Sequence, residues 1–119
     1  MTTPLFQPGD NIAMKVPAAE FEAVVAFYEQ MLCFRVVSRE AETVRFDYGG
    51  GKHLWIDRVE GIAKSEVWLE VRTKDIAAAA DRLKAAHITR CDEIEPLPDG
   101  MAAFWIKNPA GVVHLVTEE

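Results

Sequence analysis

Basic charge is scarce in this 119-residue chain, with 13 Lys and Arg against 19 Asp and Glu and a formal net charge of −6. The pI is about 5.1. That balance offers no electropositive footprint to a phosphate backbone, which argues against nucleic-acid binding, and it equally disfavours docking on anionic membranes. Long hydrophobic runs are missing as well, none approaching the roughly 20 residues of a membrane span. The opening "MTTPLFQPGD" lacks the basic and apolar segments of a secretory signal. Cysteine is nearly absent. Cys33 and Cys91 are too few for a disulfide framework and are not spaced as a metal motif, so the expectation is two reduced thiols in a cytoplasmic protein. What remains is an ordinary globular composition, half hydrophobic and 27% charged. It is enough for one domain over residues 1–119 with a sizeable core.

Two stretches of the chain look alike. "NIAMKVPAAEFEAVVAFYEQML" from Asn11 and "EVWLEVRTKDIAAAADRLKAAH" from Glu66 each read as a short strand, a brief connection and a helix. Phe21, Val24, Val25, Tyr28, Met31 and Leu32 form one apolar stripe at helical spacing. Ile76, Ala79, Ala80, Leu83 and Ala86 form another, with Asp75 placed to cap it. Short strand patterns follow each helix: "FRVVSRE", "TVRFDY" and "HLWIDRV" in the first half, "ITRCDEIEPL", "MAAFWIK" and "VVHLVTE" in the second. Gly49–Gly51, "PDG" from Pro98 and "NPAG" from Asn108 are the turns between strands. No helix follows the three glycines, so they are a hairpin turn and not an anion cradle. The chain thus reads βαβββ twice, an α+β fold with modules at about 10–60 and 65–118, joined by "EGIAKS".

This doubled module, with "AFYEQMLCF" closing the first helix and "NPAGVVHL" leading into the last strand, resembles the vicinal oxygen chelate superfamily. That group includes glyoxalase I, bleomycin-resistance proteins, fosfomycin-resistance enzymes and extradiol dioxygenases. The resemblance covers Asn11 to Thr117 and implies half-barrel sheets that form a cup. It implies a homodimer as well. Two residues depart from the pattern: Cys33 replaces the usual glycine after the first helix, suggesting a different helix end, and Asn108 replaces an aspartate. The fold hosts unrelated chemistries, so the reaction has to be read from the site.

By the same resemblance, metal-using members draw ligands from the first and last strands of each module. The matching positions here are Asn11, five before Val16; Glu66, five before Val71; and His114, three after Gly111. The fourth comes from the face shared by His53, Trp55 and Asp57, with Asp57 or Trp55 level with His114. Asp57, Glu66 and His114 would suit one divalent zinc, iron, manganese or nickel ion. Asn11 supplies only an amide oxygen. A His114–Glu66 ion pair without metal is the competing arrangement, because buried charges are nearly always paired.

Asn11, Ala13 and Lys15 share a strand face, as do Glu66, Trp68 and Glu70. With Trp55 and either Phe104 or Trp105 they would line a pocket for a small, planar or aromatic molecule. Three functions stay open. One is a binding protein that needs no metal, with Asn11, Lys15, Trp55, Trp68, Phe104 and His114 as contacts. Another is a metal-dependent lyase, isomerase or dioxygenase that chelates adjacent substrate oxygens, with Glu66, His114 and Asp57 as ligands and Glu70 as base. The third is a metal-free enzyme using Glu66 or His114 as general base.

Overall fold

Alternating apolar and polar residues make strand the main regular structure of this chain. The computed structural model describes residues 4–119 and contains eight strands: β1 Phe6–Pro17, β2 Val36–Arg39, β3 Thr43–Asp47, β4 His53–Val59, β5 Glu66–Thr73, β6 Thr89–Arg90, β7 Ala103–Lys107 and β8 Val113–Glu118. Two helices carry the cores, α1 Phe21–Ala26 and α2 Ile76–Ala85. This is the α+β architecture expected, in two units. One is Asp10–Trp68; the other is Leu69–Glu119 together with residues 4–9. Strand β1 therefore contributes to both, its first four residues counting with the C-terminal unit.

In the N-terminal unit the strand order is β2-β3-β4-β1. Strands β2, β3 and β4 are antiparallel neighbours, and β1 runs parallel to β4, as a helical crossover requires. Alternation sends Val44, Phe46, Leu54 and Ile56 to one face, where Val16 and the α1 residues Phe21 and Val25 complete a buried core. Phe46 and Ile56 are wholly buried, and burial of side chains of this size contributes about 1.5–3 kcal/mol each. The C-terminal unit repeats the plan with order β5-β8-β7-β6. Its core joins Ala79, Phe104, Ile106 and Val116, with Phe6, Val71, Ile76, Ala80 and Leu83 packed against them.

Three details differ from the expected elements. The first helix becomes a π turn over Phe27–Met31. The wider turn advances the chain by an extra residue and rotates the end of the apolar stripe away from the core. Met31 is left 72% exposed and Leu32 43%. The helix also ends as a glycine-terminated helix would, because Cys33 adopts φ +57°. His87, past the end of α2, does the same at φ +61°. Finally, "ITRCDEIEPL" forms only the two-residue β6, followed by a 3-10 turn at Asp92–Ile94. There the Asp92 carboxylate accepts the Trp105 amide at 3.0 Å.

Candidate functional site

The face of the N-terminal sheet turned away from α1 is built in rows by strand register. Arg45 on β3 stands opposite Trp55 on β4 and Ser38 on β2, and Trp55 is opposite Ala13 on β1. One row along lie Thr43, Asp57 and Lys15; on the other side lie Asp47, His53 and Asn11. The side chains interlock. The Trp55 indole donates to the Asn11 amide oxygen at 2.7 Å. Lys15, 5% exposed, places its ammonium 2.7 Å from Asp57 Oδ2 and 4.3 Å from the Trp68 ring centre. The Thr43 hydroxyl donates to the other Asp57 oxygen at 2.5 Å. The Trp68 indole in turn leans 3.4 Å from Glu66 Oε1.

These contacts test the face as a metal centre. Both Asp57 oxygens are engaged, and the charge they balance is already present as the Lys15 ammonium, held by a carboxylate and an aromatic face together. The Asn11 oxygen is occupied by Trp55. Among the described residues no three His, Cys, Asp or Glu side chains gather as ligands. The residues present do not fit a divalent ion.

The C-terminal unit revises two expected contacts. His114 is opposite Ile106 and Leu69, while Phe104 is opposite Val116. Ile106, Phe104 and Val116 all belong to the core beneath α2. Phe104 and His114 therefore share the helix side of the sheet, and neither lines the opposite face. A one-residue change of phase exchanges faces, so Trp105 and Leu115 occupy the opposite side, with Leu115 facing Glu70 in register. Leu115 has no donor atom to offer a metal. The His114 Nδ1 lies 3.0 Å from the Val112 carbonyl, which can only accept, so Nδ1 carries a proton. Neither His114 nor Glu66 enters an ion pair among the described residues; each finds its polar partner nearby in sequence. Glu70 sits over Gly9, where an added Cβ would lie 2.5 Å from its Cγ, and 3.4 Å from Arg72 Nε. Trp105 donates its indole N–H to the Glu95 carbonyl at 3.0 Å.

Sequence reasoning passed over Arg45. Alternation along "TVRFDY" puts it on the face of Thr43 and Asp47, and that signal was available. Its guanidinium lies 4.9 Å from the Trp55 ring centre, and its Nε is buried without a hydrogen-bond partner. Elsewhere, two carboxylates are held below their ordinary range. Asp47 is lowered by the Gly49 amide and then by Arg35. Burial pushes Asp92 up, but hydrogen bonds from Arg90 and the Trp105 amide outweigh it and lower the group.

The Glyoxalase-like domain family matches residues 11–112. The chain belongs to that family, within the vicinal oxygen chelate superfamily. No curated protein matches the glyoxalase-like domain in sequence. Solved structures share its fold. A Mn(II)-bound glyoxalase from Novosphingobium aromaticivorans superposes with TM-score 0.69 at 18% identity, over 93% of this chain and 38% of that one. The glyoxalase-like domain thus spans well under half of that enzyme. Methylmalonyl-CoA epimerase from Mycobacterium tuberculosis also gives TM-score 0.69, at 16% identity, over 99% of this chain and 91% of the epimerase. Homoprotocatechuate 2,3-dioxygenase from Brevibacterium fuscum gives 0.67 at 12% identity, over 98% of this chain and 33% of the dioxygenase. At such identities the likeness is one of fold.

Proposed function

We propose that this glyoxalase-like domain binds a small organic molecule on the face carrying Trp55, Asn11, Lys15 and Trp68, without a metal ion. One observation carries the reading: Asp57 is closed on both oxygens by Lys15 and Thr43. A buried ammonium at the centre of the face does the electrostatic work that a divalent ion would otherwise do. Aromatic rings with a few fixed polar groups are the usual make-up of a small-molecule site. Glu66 borders that strand face and is a contact in this reading, or a general base if a metal-free reaction occurs there.

The competing reading is a metal-dependent lyase, isomerase or dioxygenase. It draws on the manganese glyoxalase and the dioxygenase among the structural relatives. A homodimer is part of either reading through the family resemblance, and sedimentation of the purified chain reads it directly.

The two readings separate in one experiment. The protein is incubated in turn with zinc, iron(II), manganese and nickel, desalted and analysed for metal. The proposal expects far less than about one equivalent per chain to survive desalting. A full equivalent, lost on Asp57→Ala or Glu66→Ala, would overturn it and install the metalloenzyme.

A further inference from the structure

Arg45 is the place where the proposed ligand's chemistry can be read. Among the described residues its Nε is a buried side-chain nitrogen without a partner, and no carboxylate pairs with its guanidinium. Several other arginines do find a carboxylate. Arg35 pairs with Asp47 at 3.0 Å, Arg39 with Glu29 at 2.6 Å and Arg90 with Asp92. In a chain of net charge −6 an acidic partner is easily supplied, yet at Arg45 none is. Strand β3 could give it one at Asp47, two residues along on the same face, but that carboxylate is turned to Arg35 and the Gly49 amide. The guanidinium carbon instead lies over the Trp55 ring, 4.9 Å from its centre. The ring is itself fixed by its bond to Asn11, and the next residue in the row is the small Ala13. A stacked guanidinium keeps its edge N–H groups for a planar, two-oxygen acceptor.

We infer that Arg45 is the anchor for a carboxylate on the bound molecule, with the planar body of that molecule lying toward Trp55 and Ala13. The inference rests on the small-molecule reading above and narrows it to carboxylic acids. The fork matches carboxylate and phosphate alike; it is the flat support of the Trp55 ring that favours a planar acid.

The test uses three probes on the whole chain: 2-naphthoate, the uncharged 2-naphthalenemethanol and inorganic phosphate. Tryptophan quenching and calorimetry give the affinities. The expected result is that naphthoate binds about tenfold or more tighter than the alcohol, with phosphate weaker than naphthoate. Arg45→Met, which keeps an apolar stem over Trp55, should erase that preference, leave alcohol binding within about twofold and raise the melting temperature, since the unpaired buried nitrogen is gone. A folded Arg45→Met variant with the acid preference intact overturns the inference. So does a wild type that binds acid and alcohol equally, which would leave the small-molecule reading standing. Phosphate binding tighter than naphthoate overturns the carboxylate assignment. If neither naphthalene probe nor phosphate binds, the reading of this face as a ligand site fails, and the inference with it.

Discussion

Cys33 and His87 hold one backbone conformation at matching points of the two modules, just past each helix. At α2 the geometry is complete. The Ile88 amide reaches the Leu83 carbonyl at 3.0 Å, and the His87 amide reaches Lys84 at 3.0 Å, the paired bonds of a left-handed helix stop. At the first helix the π turn lengthens the reach, Phe34 bonding Tyr28 at 2.9 Å, while the Cys33 thiol donates to the Gln30 carbonyl at 3.6 Å. A side chain in this conformation costs about 1–2 kcal/mol. Glycine's freedom in the unfolded chain takes back about 0.4–1 kcal/mol. His87→Gly should therefore stabilise the protein by about 0.5–1 kcal/mol. Cys33→Gly should gain less, because the thiol bond is lost. Denaturant midpoints compare the two, and a loss at His87→Gly would mean that its side chain carries a contact worth more than the strain. The cysteine was legible as a departure from the family pattern; its conformation was not, since the helix end is set by the bonds that close it.

At the scale of elements, Asp75 shows what a sequence signal is worth when it agrees with packing. Its Oδ1 accepts the Ala78 amide at 3.0 Å, and Thr73, fully buried, shares hydroxyl bonds with the Asp75 backbone. Asp75→Ala should cost about 1 kcal/mol, read as a drop in the denaturant midpoint, and Asp75→Asn should restore most of it. Strands β3 and β4 were equally legible, because every second residue is the buried apolar one along "TVRFD" and through the "HLWID" part of β4. Strands β7 and β8 were not. "AFWIK" and "VVHLV" are apolar on both faces, so the period of two has no readable phase. For that reason the sequence leaves Phe104 and Trp105 as alternatives and misplaces His114, whereas the register puts Phe104 and His114 on the helix side and Trp105 opposite. Pairing lay beyond the sequence as well: that Lys15 meets Asp57 follows from β1 and β4 lying side by side, a choice made by the fold. The candidate face was thus legible in its members Asn11, Lys15, Trp55, Asp57 and Trp68, but not in the ammonium–carboxylate contact that changes its chemistry.

Across the whole molecule, folding strengthens the acidity of Asp47 in the N-terminal unit and of Asp92 in the C-terminal. A lowered group adds stability that is fully present above the ordinary carboxylate value of about 3.9 and is lost as pH falls through the lower folded value. Melting temperature should accordingly hold level down to about pH 5 and decline below about pH 4. Asp92→Asn should flatten that decline, and an unchanged acid slope in the variant would show that the Arg90 and Trp105 contacts contribute nothing to it. The shared strand β1 bears on the order of events during synthesis. On a ribosome, Asp10–Trp68 emerges as one continuous run and can close its core unaided. Phe6, made earlier, packs with Phe104, Ile106 and Val116, which are made only after the whole of the N-terminal unit. Phe6 must wait for partners that arrive long after it.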